Sequence, residues 1–411
     1  MRKITIIGGG QSGLMVALGL LKKGYQVRVV QNRTADDIAN GKIMSSQCMF
    51  GDSIQAERDL GIDFWTELCP PVEGIAFTVP HPERPGERVI DWAGRLERNA
   101  YAVDQRVKFP GWLAEFERLG GRLVIKEAGI NDLEMYARED DLVIVASGKG
   151  EIGRMFERDA EKSPYDKPQR ALALTYVTGM VPRPEHSAVN FNLIPGVGEY
   201  FVFPGLTTTG PCHMMVFEGV PGGPMDCWAD IKSPEQHLAK SKEILATFLP
   251  WEAERCRDIE LSDDNGILSG RFPPTVRKPV ATLPSGARVL GLGDAVCLND
   301  PITGQGSNNA AKAARVYLQR ILDHGDRAFD AEWMQGTFDA YWDYAQWVVG
   351  WTNAMLAPPP PHVLEIMGAA CTEPRLAHRI ANAFDDPRDF FPWFADPQAA
   401  QVYLDDLRTA A

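Results

Sequence analysis

Residues 3–13 read KITIIGGGQSG, and this stretch decides the fold. The largely β-branched run over residues 3–7 predicts a buried strand, and apolar residues at helical spacing over residues 14–23 predict a helix that Gly24 ends. Residues 25–30 predict a second strand. A strand, a glycine turn, a helix and a second strand in this order are typical of the first unit of a doubly wound parallel sheet.

The turn after the first strand has the spacing Gly8-x-Gly10-x-x-Gly13. Such a turn is too tight for a side chain at Gly8, lets the backbone at Gly10 approach a pyrophosphate, and lets the helix pack on the strand at Gly13. The free N–H groups at the positive end of the helix favour phosphate. A glycine turn without a ligand is the alternative. The predicted cofactor contacts in this turn are Gly8, Gly10, Gln11, Ser12 and Gly13.

The end of the second strand departs from the usual dinucleotide pattern. An acidic residue usually binds a ribose hydroxyl there, but this chain has Gln31, followed by Asn32 and Arg33. A side-chain amide both donates and accepts hydrogen bonds, so Gln31 or Asn32 can take the place of the carboxylate. We include all three residues among the predicted cofactor contacts. A Gln31 that merely faces water is the alternative.

A second motif follows a strand predicted over residues 287–292, and it reads GDAVCLNDPITGQG from Gly293 to Gly306. In flavin-binding folds with this spacing, the Asp at the strand end contacts the ribityl chain and the Pro-to-Gly turn runs beside the isoalloxazine ring. The next helix, predicted over residues 308–322, points its N-terminus at the ring edge that becomes negative on reduction. A turn cap is the alternative role for the Asp. The predicted flavin contacts here are Asp294, Pro301, Gly304, Gln305, Gly306 and Asn308.

The rest of the chain predicts a second sheet and a helical tail. Residues 165–280 contain short β-prone runs at 171–178, 200–203 and 213–217, and proline and glycine separate them, which predicts a mostly antiparallel inserted sheet. Residues 333–356 are aromatic-rich with a helical period and end before four prolines. The predicted division is a cofactor domain over 1–68, 100–165 and 281–327, a substrate domain over 69–99 and 166–280, and a C-terminal helical region over 328–411.

The composition narrows the class of protein. The 411 residues carry a net charge of −13, and an acidic surface repels nucleic acid and anionic lipid, so neither is an expected partner. The seven cysteines have no CxxC spacing, which favours reduced thiols over a disulfide framework or a metal site. The apolar run near the N-terminus is too short for a signal peptide or a membrane span. We therefore expect a soluble, cytoplasmic protein.

Both motifs and their separation resemble those of the flavin monooxygenases with the para-hydroxybenzoate hydroxylase fold, and among them the oxygenase components of styrene and indole monooxygenases. The further stretches that carry this likeness are VDQR at 103–106, SGK at 147–149, residues 163–172, GLGD at 291–294 and WTN at 351–353. The resemblance implies an α/β fold, with an FAD-binding Rossmann domain, an inserted antiparallel β substrate domain and C-terminal helices.

The resemblance also implies the cofactors and partners: FAD, O2 and a small aromatic substrate. A strand predicted over residues 142–146 ends at Ser147-Gly148, where single-component relatives carry an Asp-Gly pair tied to pyridine-nucleotide use. Since that Asp and a second Rossmann loop are missing, we expect reduced FAD (FADH2) from a separate NAD(P)H-dependent flavin reductase. An unremarkable variant at Ser147 is the alternative. A homodimer is a compatible assembly.

Two further cofactor contacts follow from the resemblance. Gly148 is one of them, and Arg106 is the other, near the flavin phosphates. Without the resemblance, an isolated arginine at position 106 would more often form a surface salt bridge.

Residues 45–49 read SSQCM and bear on the substrate. Styrene-type relatives carry Asn, Val and His at the positions of Ser45, Gln47 and Met49, whereas indole-type relatives carry Ser, Gln and Met. The positions that also agree with the indole type are Val72, Ile75 and Ala100, where styrene-type relatives carry Tyr, His and Ser. Each match alone could be ordinary core packing. A buried indole N–H needs an acceptor, which Ser45 or Gln47 can supply, and styrene has no such group.

The resemblance therefore implies an FAD-dependent indole monooxygenase, which epoxidises the indole C2=C3 bond through a flavin C4a-hydroperoxide kept in a dry pocket. The residues expected to hold the reacting oxygen are Ser45, Pro301 and Gly304. The residues expected to line the substrate are Met44, Gln47, Met49, Val72, Ile75 and Ile302. The alternatives are a styrene or aryl-alkene epoxidase or sulfoxidase, and a non-catalytic FAD-binding escort protein. A flavin halogenase is disfavoured because the chain lacks a Trp-x-Trp-x-x-Pro string.

Overall fold

Two β-sheets and a set of helices form the protein, whose computed structural model describes residues 2–84, 86–148 and 150–409. The strands are β1 (Lys3–Ile7), β2 (Gln26–Gln31), β3 (Pro71–Pro80), β4 (Arg88–Tyr101), β5 (Arg122–Ile125), β6 (Leu142–Val145), β7 (Ala171–Thr178), β8 (Ala188–Ile194), β9 (Gly198–Thr207), β10 (Gly210–Gly219), β11 (Glu260–Leu261), β12 (Ile267–Gly270), β13 (Thr275–Val276), β14 (Val280–Thr282), β15 (Arg288–Gly291) and β16 (Cys297–Leu298). The helices are α1 (Gln11–Lys22), α2 (Ala35–Ala39), α3 (Gly51–Asp59), α4 (Gln105–Arg118), α5 (Ile130–Glu139), α6 (Gly150–Gly153), α7 (Pro234–Phe248), α8 (Pro250–Arg255), α9 (Gly306–His324), α10 (Ala331–Met355), α11 (Pro361–Ala369), α12 (Pro374–Ala383) and α13 (Pro397–Thr409). Short 3-10 helices are η1 (Gly293–Ala295), η2 (Pro301–Thr303) and η3 (Pro387–Phe390).

The first sheet has the strand order β14-β15-β6-β1-β2-β5, and its strands are parallel except for β14 at the edge. Ile4 lies at its centre, opposite Val27 on β2 and Leu142 on β6, and all three side chains are buried. Strands buried on both faces read as continuous apolar runs, which is why these strands could be predicted. β1, β2, β6 and β15 agree with their predicted bounds to within one residue, and the doubly wound sheet is confirmed.

The second sheet has the strand order β11-β7-β10-β9-β8-β3-β4, and β12 also pairs with β7. Its neighbouring strands are antiparallel except for β3 and β8, which are parallel. β7 spans the predicted run 171–178, and β9 and β10 extend the predicted runs 200–203 and 213–217. β3 and β4 come from an earlier part of the chain, so two distant segments build this sheet.

The C-terminal helices pack on the second sheet and beside α9. α10 confirms the helix predicted over residues 333–356 and ends ahead of four prolines. The ring centroid of Trp351 lies 4.9 Å from that of Phe384 and 4.5 Å from that of Phe390. α12 approaches β4 so closely that a Cβ on Gly94 would lie 2.2 Å from a backbone oxygen of α12. No helix within the described residues is both long and apolar enough to cross a lipid bilayer.

A buried polar network joins three helices beneath the glycine turn. The carboxylate of Glu57 on α3 accepts hydrogen bonds from Lys108 Nζ on α4 and from Gln11 Nε2 on α1, each at 2.8 Å. The three side chains are 1%, 1% and 6% exposed. A buried ion pair must keep both partners, because removing one leaves an uncompensated charge away from water. Glu57 therefore fixes the start of α1, the helix that begins at the turn.

We predict that Glu57→Ala lowers the free energy of unfolding by about 3–5 kcal/mol, because it leaves the Lys108 ammonium buried without its partner. Urea denaturation of the full chain measures this loss. The matched control is Glu157→Ala, whose pair with Lys278 is exposed and for which we expect a loss below about 1 kcal/mol. Equal losses in the two variants would show that the network does not brace α1.

Candidate functional site

The carboxyl ends of four neighbouring parallel strands, β15, β6, β1 and β2, meet at one edge of the first sheet. The two glycine motifs are in contact here, because a Cβ on Gly293 would lie 2.5 Å from Ser12 Oγ. A Cβ on Gly148 would lie 2.9 Å from the carbonyl oxygen of Asp294. Gly8 has a φ of +113°, and a Cβ there would lie 3.0 Å from the backbone that follows β6. Doubly wound sheets bind their ligands at this edge.

The first glycine turn leaves a helix end open. A Cβ on Gly13 would lie 2.1 Å from the carbonyl oxygen of Gly8, so α1 must begin directly against β1. Gly10 is the N-cap of α1 and supplies no side-chain cap, and no atom of the described chain lies within 4 Å of its Cβ position. The free N–H groups of the first helical turn therefore border an open space that suits a phosphate.

Gln31 lies over this turn, at the end of β2. A Cβ on Gly9 would lie 1.8 Å from Gln31 Oε1, and Gln31 Nε2 donates to the carbonyl oxygen of Arg33 at 2.7 Å. The next residue, Asn32, is exposed, and the Arg33 guanidinium contacts the sulfur of Met44. Of the three cofactor contacts predicted at this strand end, Gln31 is thus the one held against the glycine turn.

The second motif forms a tight turn followed by another open helix end. Asp300 Oδ1 accepts a hydrogen bond from the Ile302 N–H at 3.1 Å and so caps η2. Gly304 ends η2 with a φ of +63°, a left-handed conformation that favours glycine. α9 begins at Gly306, two residues before its predicted start, and has no side-chain cap. The prediction of the start at 308 was late because the pattern of apolar residues begins only after this first turn.

Two hydrogen bonds brace the second turn against the C-terminal helices. Thr303 Oγ1 lies 2.7 Å from Thr352 Oγ1 on α10. Gln305 Nε2 donates to the carbonyl oxygen of Phe384 at 2.8 Å, and the Gln305 side chain is fully buried. Gln305 therefore uses its amide N–H to hold the turn in place, and its backbone caps α9.

The segment that was predicted to select the substrate packs on the first turn of α9. Asn308 Nδ2 donates to the carbonyl oxygen of Cys48 at 2.8 Å, and Asn308 Oδ1 accepts from the Phe50 N–H at 2.8 Å. Ser307 Oγ donates to Gln47 Oε1 at 3.2 Å. The structure thus brings residues 47–50 and the second motif together. Sequence reasoning singled out Asn308 and Gln47, but it missed Ser307, which no spacing links to position 47.

The polar groups of this segment also have partners within the chain. Ser45 Oγ donates to the carbonyl oxygen of Ser46 at 2.8 Å, and the carbonyl oxygen of Ser45 accepts from Tyr176 Oη at 3.2 Å. Gln47 Nε2 donates to the carbonyl oxygen of Val103 at 2.7 Å. The orientation of the Gln47 amide is therefore fixed, with its oxygen facing α9. Tyr176, buried on β7, is a further site residue that the sequence did not single out.

The apolar residues expected to line the substrate lie on adjacent strands. Met49 pairs with Tyr101, and Val72 pairs with Ala100 on the same strand, β4. Val72 and Ala100 are fully buried, as is Met49. The remaining members of this set are Ile75 and Ile302, which are buried, and Met44, which is half-buried. Met49 and Val72 pair with successive residues of β4, so their side chains point to opposite faces of the ladder, Met49 into the core with the first sheet and Val72 into the core of the second.

Arg106 is held by carboxylates in the interior. Its guanidinium donates to Asp104 Oδ2 at 2.8 and 2.9 Å and to both oxygens of Asp263 at 2.8 and 2.9 Å. Thr207 Oγ1 and the carbonyl oxygen of Gly41 complete its acceptors. All five N–H groups of Arg106 thus face protein acceptors. The resemblance implied a place near the flavin phosphates, but the arrangement described here is a buried ion-pair network.

A buried carboxyl group stands next to the second turn. Glu218 on β10 is fully buried, and Asp300 is 1% exposed. Burial, together with the negative charge of Asp300, raises the pKa of Glu218 well above its usual range, and burial also raises the pKa of Asp300. Sequence reasoning missed this contact, because no pattern connects residues so far apart in the chain.

The whole edge fits a flavin dinucleotide. Two helices begin there without side-chain caps, and no described atom lies within 4 Å of the Cβ positions of Gly10, Gly304 and Gly306. Two buried oxygens close to these helix ends, Gln11 Oε1 and Gln305 Oε1, have no hydrogen-bond donor within the described residues. Free N–H groups suit a pyrophosphate and the electron-rich edge of a reduced ring, and unsatisfied acceptors suit ligand hydroxyl or N–H groups.

Comparison with known proteins agrees with this site. Residues 148–255 match the family described as "Styrene monooxygenase A putative substrate binding domain". The chain is 28% identical over 406 residues to styrene monooxygenase StyA of Pseudomonas fluorescens, covering 97% of this chain and 96% of that protein. A styrene monooxygenase StyA of a Pseudomonas species matches with the same identity and coverage.

Solved structures of the same fold include flavoproteins. The flavin-dependent brominase Bmp2 superposes with a TM-score of 0.68 at 14% identity over 99% of both chains. A flavoprotein/dehydrogenase from Cytophaga hutchinsonii superposes with a TM-score of 0.70 at 15% identity over the full length of both chains. The chain is therefore a flavin-dependent monooxygenase that uses FAD and O2, and its full-length similarity supports the styrene monooxygenase family.

Proposed function

We propose that the protein is the oxygenase component of a two-component indole monooxygenase, which receives reduced FAD from a separate NAD(P)H-dependent reductase and epoxidises the indole C2=C3 bond. The observation that carries this proposal is the hydrogen bond between Gln47 and Ser307 in the first turn of α9, directly after the second glycine motif. One of the six residues that separate indole-type from styrene-type relatives thus lies beside the expected flavin site.

The residues that would hold FAD lie along the carboxyl edge of the first sheet. The N–H groups of α1 beside Gly10 would take the pyrophosphate, and Gln31 would take a ribose hydroxyl. Asp294 would contact the ribityl chain, and the Pro301–Gly304 turn with the start of α9 would lie against the ring. Bound FAD in its reduced form supplies O2 activation and oxygen transfer.

The chain itself would orient the substrate and exclude water from it. Gln47 Oε1 accepts one hydrogen bond, from Ser307 Oγ, and its second lone pair remains for the N–H of indole. The amide cannot turn away, because its Nε2 is bonded to Val103 and the side chain is 4% exposed. Met49 and Val72 are fully buried, and each would keep water from its own face of the β4 ladder.

A styrene or aryl-alkene epoxidase is the second candidate function. The observation that favours it is the name of the matching relatives, both styrene monooxygenases. Two proteins that are 28% identical can share a fold and still differ in the residues that line the pocket. Side-by-side turnover of indole, styrene and an aryl sulfide separates the two candidates.

We predict that Gly10→Ala weakens FAD binding at least about tenfold, or about 1.4 kcal/mol, and leaves the fold intact. The reason is that its backbone, with φ −92° and ψ −169°, suits alanine, and its Cβ would enter only the space assigned to the pyrophosphate. Fluorescence titration with FAD measures the affinity, and thermal unfolding of the FAD-free chain reports on the fold.

The matched control for this variant is Gly129→Ala. Gly129 is also the N-cap of a helix, α5, with a similar backbone (φ −111°, ψ −177°) and no described atom within 4 Å of its Cβ position. It should bind FAD as the unchanged protein does. Unaltered FAD affinity in Gly10→Ala would overturn the placement of the pyrophosphate.

We predict that the protein, supplied with indole, O2 and FAD reduced by an added reductase, forms the oxygenated indole product that air oxidises to blue indigo. Product absorbance and O2 uptake measure the reaction together. Formation of H2O2 alone, with no coloured product, would contradict the proposal for indole. If styrene oxide then forms from styrene, the second candidate function replaces the first.

We predict that the triple change Ser45→Asn, Gln47→Val and Met49→His lowers the ratio of kcat/KM for indole to that for styrene at least about tenfold. Valine at position 47 removes the acceptor for the indole N–H, and styrene has no such group to lose. The ratio is its own control, because a general loss of folded protein affects both substrates equally. An unchanged ratio of kcat/KM for the two substrates would contradict the proposal that residues 45–49 select the substrate.

A further inference from the structure

Glu218 is a buried carboxyl group that the proposed chemistry does not use. It lies near the end of β10, opposite Glu199 on β9, and is fully buried. No donor among the described residues reaches either of its oxygens. An ionised carboxylate without a partner in the interior is very unfavourable, so a group in this position either takes up a proton or finds a cation.

The guanidinium of Arg170, a cation beside these carboxyl groups, already has hydrogen-bond partners. Arg170 binds both oxygens of Glu199, with Nε at 2.6 Å and Nη2 at 2.9 Å. Its Nη1 donates to the carbonyl oxygens of Gln169 and Leu356. The hydrogen bonds of Arg170 therefore go to Glu199 and to backbone carbonyls, and its charge acts on Glu218 and Asp300 without a direct bond to either.

Asp300 has a buried carboxyl oxygen that can accept a hydrogen bond from a protonated Glu218. Its Oδ1 caps η2 by accepting from Ile302, and its buried Oδ2 has no donor within the described residues. Neither oxygen of Glu218 has a hydrogen-bond partner within the described residues, and the two carboxyl groups lie close enough for each to shift the pKa of the other. Two ionised carboxylates offer each other only acceptors, whereas one proton between them supplies the missing donor.

We infer that Glu218 and Asp300 share one proton, and that this proton ties the second sheet to the Asp300–Gly306 turn as a positioning pair. The inference deepens the proposed function, since it rests on that turn lying against the flavin ring. Loss of the proton would place two like charges side by side, and repulsion would displace the turn at Asp300. FAD binding should then depend on the protonation of a group that does not touch FAD.

The groups around the pair agree with this arrangement. Burial raises the pKa of Glu218, and the charges of Asp300 and Glu199 raise it further, while Arg170 opposes them. Burial likewise raises the pKa of Asp300. Because these folded-state values lie above those of the unfolded chain, the stabilisation is complete at low pH and is lost as pH rises through the folded-state values.

Glu218→Gln provides the sharpest test, because its amide is a permanent donor to Asp300 that no rise in pH removes. From about pH 6 to about pH 9, the dissociation constant for oxidised FAD should rise about tenfold in the unchanged protein and less than about twofold in Glu218→Gln. The flavin itself is the same in both titrations, so its own ionisation cancels. The same pH dependence in both proteins would overturn the inference.

Two measurements on the FAD-free chain keep the test independent of the proposed function. The infrared C=O band of a protonated carboxyl should be present near neutral pH and absent in Glu218→Gln. The thermal midpoint of the unchanged protein should fall relative to that of Glu218→Gln as pH rises. Absence of the band, or parallel midpoints, would overturn the shared proton even if indole oxidation proceeds.

Control variants separate a positioning role from simple packing. Glu260→Gln removes an exposed carboxylate on β11 of the same sheet and should leave the pH dependence unchanged. Glu218→Ala removes the donor and should weaken FAD binding at about pH 6, where the unchanged pair keeps its proton. If Glu218→Ala folds and binds FAD as tightly as the unchanged protein, the pair positions nothing and the inference is wrong.

Discussion

The absence of side chains at four glycines is the constraint on which the rest of the structure depends. Gly8, Gly13, Gly148 and Gly293 lie where a Cβ would come within 2.1 to 3.0 Å of a neighbouring atom. Contacts this short bring the ends of β1, β6 and β15 together with the start of α1 at one edge. Because the edge is made of backbone, its N–H groups remain available to a ligand, and anion binding follows directly from the close packing.

Hydrogen bonds between residues that are far apart in the sequence also hold this edge in place. Asn308 joins the substrate-side segment to α9 through the carbonyl of Cys48 and the N–H of Phe50, and Glu57 joins α1 to α4 through Lys108. Each group is buried. The free energy lost when such a group is left without its hydrogen-bond partner therefore exceeds the net stabilisation that the bond provides. Residues 47–50 and the edge with the two glycine motifs are thereby held in one relative position by hydrogen bonds.

Much of the fold could be predicted from the sequence, because it is encoded locally. The strands β1, β6 and β15 are apolar runs bounded by glycine, and the turns at 8–13 and 300–306 have distinctive spacings. The contacts of Arg106 with Asp263 and of Glu218 with Asp300 could not be predicted, since they join residues that are close only after the sheets have formed. A lone arginine or glutamate carries no signal of its partner, and the place of Arg106 near the flavin phosphates, which the resemblance implied, stays a prediction.

The hydrogen bond from Gln305 to the carbonyl of Phe384 links the Asp300–Gly306 turn to the end of α12, 79 residues further along the chain. A second link of this kind joins Lys312 to the carbonyl of Asp385. Both acceptors lie where α12 ends, so a shift of that helix would move the turn and the first turns of α9 together. The geometry of the turn therefore depends on the packing of a helix that is remote from it in sequence.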